Sequence, residues 1–220
     1  MHHVNLRLSL WILLLLSAVF WFSFAYLAGI DLSKASKFFG LLPKVVTADL
    51  VVVALFAKWL WRWKLFRGWL VPFPDLNGTW LGEIRSDRVD EKTGKRLPAI
   101  PAMLTIRQTI FHVSCVMQTD EMRSDSYCEG FQIDKDRQVK RLAYSYVSAP
   151  RLSLQERSAR HDGTAVFDVI ESTEHKLKGR YWTERRTTGE MEFRLDSETI
   201  REELPHDFIP HPMTGERQDC

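Results

Sequence analysis

The sequence contains few of the groups on which enzyme chemistry depends. No HExxH zinc-binding motif, no phosphate-binding P-loop and no GxSxG nucleophile elbow occurs, and the seven histidines lack metal-ligand spacing. No paired carboxylates share an inner face of the strands assigned below, so no general acid and base can be named. The sequence therefore identifies no catalytic residue, no metal site and no cofactor, and we expect a protein that is not an enzyme.

Cysteine is also scarce. Cys115, Cys128 and Cys220 make an odd number without CxxC spacing, and the first two lie within predicted strands. Small secreted domains held by disulfides use paired cysteines instead. The cysteines therefore favour a reducing compartment.

Excess positive charge is missing from the larger part of the chain. Residues 72–220 hold 22 Lys/Arg and 26 Asp/Glu, whereas residues 1–71 hold eight Lys/Arg and two Asp/Glu. An acidic domain is poorly suited to DNA or RNA, whose backbones attract basic surfaces. If this part of the chain binds an anion, a few enclosed basic groups must do so.

Two long apolar stretches lie near the N-terminus. Leu8–Ala28 has 21 residues without a charge, enough for a helix to cross a hydrocarbon core of about 30 Å. The second stretch runs from about Val45 to Trp63. A cleaved signal peptide is the alternative for the first, but its apolar region is usually only about 7–15 residues long. Residues 1–71 are therefore predicted to form a two-helix transmembrane hairpin with a basic juxtamembrane segment.

Basic and aromatic residues follow the second span. Arg62 lies at its end, and Lys64 and Arg67 follow it, which by the positive-inside rule favours cytoplasmic termini. Four tryptophans suit the aromatic belt of a membrane interface, namely Trp59, Trp61, Trp63 and Trp69. The soluble domain is therefore predicted to lie in the cytoplasm.

Asp49 is the one carboxylate in the second span. A charge at mid-bilayer costs at least about 2.5 kcal/mol on insertion scales. Asp49 cannot pair with Lys58, because nine residues at about 100° each place the two on opposite sides of a helix. Two alternatives remain: a shallow position near the outer interface, or contact with another helix in an assembly.

The remainder of the chain alternates between short apolar runs and turn residues. Strands are predicted near 77–86, 102–110, 111–119, 122–133, 138–148, 163–172, 176–187 and 190–196. The predicted fold class is membrane-anchored all-β: two N-terminal transmembrane helices, then an eight-stranded antiparallel up-and-down β-barrel over residues 72–197. Residues 198–220, with three prolines, are predicted to be a poorly packed C-terminal tail.

The stretch Pro74–Ser86 sets the pattern of the barrel interior. Its apolar side carries Gly78, Trp80, Gly82 and Ile84, an alternation of small and large residues with which small barrels are filled. The same period of two gives further inner faces in the other strands. They are Ala102, Leu104, Ile106, Gln108, Ile110; Phe111, Val113, Cys115, Met117; Ser124, Ser126, Cys128, Gly130; Leu142, Tyr144, Tyr146; Ala165, Phe167, Val169; Leu177, Gly179, Tyr181, Thr183, Arg185; and Met191, Phe193, Leu195.

Polar residues within this interior are candidates for ligand binding. An unsatisfied buried polar group costs roughly 1–3 kcal/mol, so such groups need partners. The alternative is that they lie at a wet rim or satisfy one another. Arg185 is the most specific candidate, because no carboxylate on these inner faces would neutralise it and a guanidinium matches phosphate oxygens. The polar set is Gln108, Ser124, Ser126, Tyr144, Tyr146, Tyr181, Thr183 and Arg185.

Several motifs together resemble a known family. They are Leu76-Asn77-Gly78-Thr79-Trp80, Gln108-Thr109, Tyr144-Ser145-Tyr146, His161-Asp162-Gly163-Thr164 and Gly179-Arg180-Tyr181-Trp182-Thr183-Glu184-Arg185. With the preceding hairpin, the chain resembles the two-transmembrane β-strand-rich effectors of bacterial CBASS anti-phage systems. These are the CD-NTase-associated membrane β-barrel proteins, also called the SMODS-associating 2TM β-strand-rich effector family.

The resemblance implies a function in antiviral defence. It implies a multi-pass protein of the bacterial inner membrane whose cytoplasmic barrel binds a cyclic dinucleotide made by a partner nucleotidyltransferase, the CD-NTase. Binding would drive homo-oligomerisation of the membrane helices among the lipids, and the membrane would fail. No DNA or RNA partner is implied.

The resemblance also orders the candidate residues. Tyr181, Thr183 and Arg185 come first by motif position, followed by Gln108, Tyr144 and Tyr146. Further ligand-binding candidates are Ser124, Ser126 and Trp80, and candidates for assembly or membrane contacts are Asp49 and Trp182. The alternative functions are a membrane-tethered, lipocalin-like carrier or sensor of an apolar small molecule, and a scaffold whose barrel binds no ligand.

Overall fold

The chain divides into two compact units, with the boundary along the sequence between Pro74 and Asp75. The computed structural model describes residues 6–30, 35–89, 94–134, 136–152, 159–171, 174–205 and residue 208. The first unit holds the apolar helices and the second holds the strands.

Three helices form the first unit: α1 (Leu6–Leu27), the short α2 (Ala35–Phe39) and α3 (Leu42–Lys58). The segments Arg7–Leu27 and Ser36–Lys58 are long and apolar enough to cross a membrane. The structure therefore contains two helices with the length and apolar composition predicted for the hairpin.

An aromatic contact joins α2 to α1. The ring of Trp21 stacks on that of Phe38 with centroids 5.2 Å apart, and Trp21 Nε1 donates to the carbonyl oxygen of Phe38 at 2.9 Å. The indole thus satisfies its polar atom while its ring remains in apolar surroundings.

The second span ends before the predicted position at Trp63. Helix α3 stops at Lys58, and two short 3-10 turns follow. Trp61 lies in the first turn, is only 2% exposed, and has its ring 5.9 Å from that of Phe73. Trp61 thus packs within this unit, and its assignment to the interfacial aromatic belt stays a prediction.

Eight antiparallel strands in chain order form the second unit, and the last pairs with the first to close a barrel. The fold class predicted from the sequence is therefore confirmed. The strands are β1 (Gly78–Ser86), β2 (Ile100–Gln108), β3 (Val113–Gln118), β4 (Met122–Asp134), β5 (Val139–Pro150), β6 (His161–Ile170), β7 (Lys176–Thr183) and β8 (Thr188–Ser197).

The barrel interior is a single apolar core, and most of the predicted inner faces are confirmed. Alternate residues of a strand point to one face, so the period of two in the sequence selects the residues that fill the barrel. The buried cluster comprises Leu76, Trp80, Ile84, Ala102, Leu104, Ile106, Val113, Cys115, Met117, Leu142, Tyr144, Tyr146, Ala165, Phe167, Leu177, Met191 and Phe193.

A β-bulge in β4 reverses the inward and outward faces of its second half. The register with β5 shifts between Ser126 and Cys128, so that Glu129 pairs with Tyr144. Because Tyr144 faces the core, Glu129 shares the inner face, as directly paired residues do. The inward assignments of Cys128 and Gly130 were therefore wrong.

The turn between β2 and β3 corrects one further assignment. Thr109 N donates to His112 O at 2.7 Å, which closes a tight turn between the strands. Phe111 lies in this turn and is 83% exposed, so it does not face inward. Ile110 is 8% exposed and is buried as predicted.

The pairing of β4 is uneven on its two sides. It pairs with β5 from Met122 to Asp134 but with β3 only from Arg123 to Asp125. Directly beyond these pairs, Cys115 N of β3 donates to the side-chain Oγ of Ser126 at 2.9 Å. We refer to this shortened pairing of β3 and β4 as the seam.

The start of the predicted tail is bonded to the outside of the barrel. Thr79 Oγ1 donates to Thr199 O at 2.7 Å and accepts from Arg201 N at 2.9 Å, and Thr105 Oγ1 donates to Arg201 O at 3.0 Å. Thr79 is fully buried although it faces outward. The prediction of poor packing was therefore wrong for these first residues, while residues 209–220 lie outside the described part of the chain.

Replacing Gly163 by alanine should destabilise the barrel. An added Cβ at Gly163 would lie 2.5 Å from Cζ of Tyr146, whose ring is also held 5.9 Å from that of Tyr144. Overpacking of this kind costs about 1–3 kcal/mol, so the melting temperature in a thermal denaturation scan should fall by several degrees.

Gly130→Ala is the matched control, because its added Cβ would meet no atom within 4 Å. We expect this variant to keep the wild-type melting temperature or exceed it slightly. Equal losses in both variants would contradict the packing of Tyr146 over Gly163.

Candidate functional site

The predicted ligand-binding residues divide between the two ends of the barrel. The lower end is where the chain enters β1, and the upper end contains the end of β1, the start of β6 and the β7–β8 turn. Gln108 and Trp80 lie toward the lower end, whereas Thr183 and Arg185 lie at the upper end. The structure thus does not bring the whole predicted set together.

Gln108 and Trp80 both bond the backbone of Leu76, a buried residue just before β1. Gln108 Oε1 accepts a hydrogen bond from Leu76 N at 2.8 Å, and Trp80 Nε1 donates to Leu76 O at 3.0 Å. Asn77 bonds the backbone of Gln108 on both sides. Both predicted residues therefore have a structural role in positioning Leu76.

The predicted serines have protein partners. Ser124 Oγ donates to Ser148 Oγ at 2.9 Å, and both side chains are buried. Ser126 Oγ accepts from Cys115 N and donates to the carboxylate of Glu129. The alternative in which polar residues satisfy one another is therefore what the structure shows for these two serines.

Two tyrosines extend from the core to the upper end. Tyr146 lies over Gly163, and Tyr181 lies against Gly189, where an added Cβ would approach its ring at 2.6 Å. Tyr146 is 3% exposed, whereas Tyr181 is half-buried. Burial raises the pKa of both phenols, so they are neutral hydrogen-bonding groups at physiological pH.

Tyr144 lies deeper and has an unusual hydroxyl group. The side chain is 2% exposed, and its ring stacks on Phe167 with centroids 6.1 Å apart. Within the described residues its hydroxyl finds no hydrogen-bond partner. Burial raises the pKa of this phenol well above its ordinary value.

Arg185 lies at the rim rather than inside the barrel. Strand β7 ends at Thr183, and Arg186 N donates to Thr183 O at 3.0 Å to close the turn. Arg185 is therefore exposed in this turn, where its guanidinium donates to the carbonyl oxygen of Ala159. The prediction of an inward-facing Arg185 was wrong because the strand stops two residues earlier.

His161 joins Arg185 and Thr183 at the upper end. It begins β6 and pairs with the inward-facing Ser148, whereas the strand predicted from the sequence starts only at residue 163. Burial lowers its pKa, and the nearby charge of Arg185 lowers the pKa further. Thr183 is 8% exposed and shares a 2.7 Å hydrogen bond with the hydroxyl of Thr187.

Glu129 is an inward-facing carboxylate that the sequence reasoning missed. The signal that was missed is Phe131, an apolar residue that packs against the core. Phe131 lies two residues after Glu129, so the two share one face of the strand and Cys128 lies on the other. An inward Phe131 beside an inward Ser126 requires a bulge between them. Glu129 thus places an acidic group where only small residues were expected.

These groups can bind a ligand by hydrogen bonds, stacking and charge. The upper end offers a guanidinium, an imidazole, a hydroxyl and a tyrosine ring, the types of group that contact phosphates and bases. Among the described residues no group of three or more His, Cys, Asp or Glu side chains is placed to hold a metal ion.

The two candidates for assembly lie in different surroundings. Ser17 Oγ and Asp49 Oδ2 are 2.6 Å apart, which joins α1 to α3 at the middle of α1. Asp49 Oδ1 is buried and has no hydrogen-bond partner in the described chain. Trp182 lies on the outer face of β7, pairs with Thr164 and Thr188, and is 43% exposed.

Comparison with known proteins relates the barrel to receptors of a signalling nucleotide. A family model described as "Cap15, cyclic dinucleotide receptor domain" matches residues 71–195. CD-NTase-associated protein 15 of Staphylococcus schleiferi is 25% identical over 146 residues, which cover 66% of this chain and 74% of that protein. The family match includes all of β1 to β7 and most of β8.

Acidification should destabilise the barrel through His161. Because burial lowers its folded-state pKa, the unfolded state, with an ordinary pKa of about 6.5, takes up the proton first as the pH falls. The stability that neutral His161 contributes is complete above about pH 6.5 and is lost as the pH falls through the folded-state pKa. Melting temperatures between pH 7 and 5 should therefore fall more steeply in the wild type than in His161→Gln.

His112→Gln is the control, since His112 is exposed in the β2–β3 turn. Its melting temperatures should follow the wild-type curve. A wild-type slope in His161→Gln would contradict the assignment.

Proposed function

Because the chain belongs to the family of Cap15 cyclic dinucleotide receptor domains, we propose that it is the membrane-disrupting effector of a CBASS anti-phage system. The barrel senses a cyclic dinucleotide, in agreement with the family resemblance of its motifs. Binding drives oligomerisation of the two-helix hairpins, and the bacterial inner membrane is then breached. The messenger comes from a partner nucleotidyltransferase, and the barrel lies in the cytoplasm.

The observation that carries this proposal is the extent of the family match. Residues 71–195 are nearly the whole barrel, so the receptor function belongs to the barrel and not to the hairpin. A separate membrane unit with two apolar spans precedes it. A receptor joined to a membrane hairpin can couple a soluble signal to the membrane.

The upper end of the barrel supplies groups that suit the phosphates of the ligand. Arg185 is exposed in the β7–β8 turn, and its charge reaches His161 at the start of β6. Thr183 adds a hydroxyl on the inner side of this turn. A cyclic dinucleotide carries two negative charges, which the Arg185 guanidinium can offset in part in an otherwise acidic domain. The imidazole of His161, neutral because its pKa is lowered, can donate a hydrogen bond to a phosphate oxygen.

Tyrosines below this position suit the bases and the sugars. Tyr181 is half-buried, so part of its ring remains available for stacking. Tyr146 pairs with Gly163, which in turn pairs with Thr183, so Tyr146 lies at the same level of the barrel as the rim residue Thr183. We therefore place the ligand between Arg185 and the tyrosines.

Ligand binding must favour the assembled state to act as a switch. The hairpins expose large apolar side chains, including Trp11, Leu14 and Leu50, to lipids or to neighbouring copies. Asp49 accepts from Ser17 through Oδ2, while within the described residues its Oδ1 has no hydrogen-bond partner. In an assembly the other oxygen can accept a hydrogen bond from a second copy, and Trp182 offers an exposed ring for contacts between barrels.

Replacing Arg185 by alanine should weaken ligand binding without unfolding the barrel. A hydrogen bond to a charged group contributes about 1.5–3 kcal/mol, so the dissociation constant should rise roughly ten- to a hundredfold. The measurement is calorimetric titration of the full chain in detergent with a panel of cyclic dinucleotides. The melting temperature should change little because Arg185 is exposed.

Arg180→Ala is the matched control, since Arg180 is exposed on the outer face of β7. It should bind as the wild type does. If no cyclic dinucleotide of the panel binds the wild-type chain, the proposed function is wrong. If Arg185→Ala binds as tightly as the wild type, the phosphate assignment is wrong.

Replacing Asp49 by leucine should uncouple ligand binding from membrane damage. A carboxyl group in an apolar span needs polar partners, and leucine removes the group that a second copy would contact. The variant should bind ligand with wild-type affinity but show no ligand-dependent crosslinking. Dye release from proteoliposomes should stay at the ligand-free level.

Thr47→Val tests whether any loss of a polar group has this effect. Thr47 lies in the same helix and, among the described residues, donates to the backbone oxygen of Pro43 one turn earlier at 2.8 Å. This variant should release dye as the wild type does. Wild-type release from Asp49→Leu would rule out the role of Asp49 in assembly.

A further inference from the structure

Glu129 is a carboxylate in a position where a barrel for an anionic ligand would not be expected to have one. The β4 bulge turns it to the inner face, opposite Tyr144, and it is half-buried. None of the ion pairs found among the described residues involves it. In the described part of the chain, the hydroxyl of Ser126 donates a hydrogen bond to it. Because a carboxylate accepts several hydrogen bonds, Glu129 retains capacity for a ligand that donates them.

The hydroxyl of Tyr144 is the complementary unused group. It is buried without a partner in the described chain, although the ring packs well against Phe167 and Tyr146. Phenylalanine would make the same ring contacts without leaving a polar atom unsatisfied, which destabilises the folded state. The hydroxyl therefore serves no purpose in the described fold itself.

The two groups are neighbours on adjacent strands. Directly opposite residues of an antiparallel pair have Cβ atoms about 4.5–5.5 Å apart, so Glu129 and Tyr144 line one patch of the inner wall. The seam lies beside this patch, because the pairing of β3 with β4 stops at Asp125. The wall next to Glu129 is therefore not closed by backbone pairing.

The patch lies within a nucleotide's reach of the rim. Tyr146 is two residues above Tyr144, roughly 6.6 Å along the strand. At that level it pairs with Gly163, which pairs with Thr183. A ligand with phosphates near Thr183 and Arg185 can thus extend a base toward Glu129, while the carboxylate repels the phosphates.

The donor and acceptor pattern selects among the bases. The Watson–Crick edge of guanine presents O6 as an acceptor beside two donors, N1–H and the exocyclic N2–H. A carboxylate can accept from both donors, and a tyrosine hydroxyl can donate to O6. Adenine and cytosine offer the carboxylate one donor group on this edge, and uracil offers one N–H between two acceptors. Guanine makes the largest number of charge-assisted hydrogen bonds.

We propose that Glu129 and Tyr144 form a subsite for a guanine base of the cyclic dinucleotide. The carboxylate accepts from N1–H and N2–H, and the Tyr144 hydroxyl donates to O6. This inference rests on the proposed function, to which it adds the class of base that is recognised.

The test compares ligands and variants by calorimetric titration of the full chain in detergent. The probes are cyclic di-GMP, cyclic GMP–AMP and cyclic di-AMP. The wild type should bind the guanine-containing probes about tenfold or more tightly than cyclic di-AMP. Glu129→Gln should weaken binding of the guanine-containing probes by roughly ten- to a hundredfold, as expected for loss of a paired base contact, and should leave cyclic di-AMP nearly unchanged.

Tyr144→Phe supplies a second test, because loss of ligand affinity without loss of stability would not follow if the Tyr144 hydroxyl were merely structural. It should weaken binding of the guanine-containing probes by about three- to tenfold, as expected for one lost hydrogen bond. Without ligand its melting temperature should equal or exceed that of the wild type, because an unsatisfied hydroxyl is removed. Glu190→Gln, which alters an exposed carboxylate on the outer face of β8, is the control and should bind as the wild type does.

The outcomes separate this inference from the proposed function. If no probe binds the wild type, both are overturned. If a probe binds but guanine gives no advantage, or if Glu129→Gln keeps wild-type affinity, only the guanine subsite is overturned. If Glu129→Gln does not fold, Tyr144→Phe decides, and a lower ligand-free melting temperature or unchanged affinity in that variant overturns the subsite.

Discussion

Closure of the sheet on itself is the constraint on which the rest of this domain depends. Eight strands leave an interior just wide enough for side chains, and here rings such as those of Trp80, Phe167 and Phe193 fill it. A ligand therefore has to be recognised where this filling ends or where the wall is irregular. The rim near Thr183 and the bulge at Glu129 are two such places, and both carry polar groups.

Small residues opposite large ones allow polar side chains to enter this packed interior. Tyr146 occupies the space over Gly163, and Tyr181 lies against Gly189. Each ring thus packs where a larger residue would clash, and a tyrosine there combines an apolar ring with a polar hydroxyl. These glycines therefore make room for the tyrosine rings in the upper half of the barrel. Replacing either glycine by alanine would reduce the backbone freedom of the unfolded chain, but the added Cβ would displace a ring.

The sequence predicted the strand faces that follow from alternating apolar residues, and it missed the features that follow from one local irregularity in a strand. The inner faces of β1, β2, β5 and β8 follow from apolar residues at every second position, and the structure confirms them. In β4 the expected inner residues were all small, and the signal for the bulge after Ser126 lay in the parity of the apolar Phe131. The position of Arg185 depended on where β7 ends, which alternation does not determine.

Long-range contacts were equally inaccessible from local pattern. The hydroxyl of Thr79 bonds the backbone of Thr199, and no local period links residues so far apart in the chain. The pairing of Ser17 with Asp49 is similar, because the two lie on different helices. Both depend on how elements pack, whereas the family resemblance came from motifs that keep their order along the chain and was confirmed by the match over residues 71–195.

Two buried side-chain atoms in the described chain lack a hydrogen-bond partner, Asp49 Oδ1 in the hairpin and the Tyr144 hydroxyl in the barrel. If the active state supplies both with partners, each contributes about 1–3 kcal/mol in its favour. Moving a switch from 1:99 to 99:1 takes about 5.5 kcal/mol of differential binding. Two new hydrogen bonds of average strength do not reach this value. The rest must come from contacts made only in the assembled state, for which the helices expose large apolar side chains.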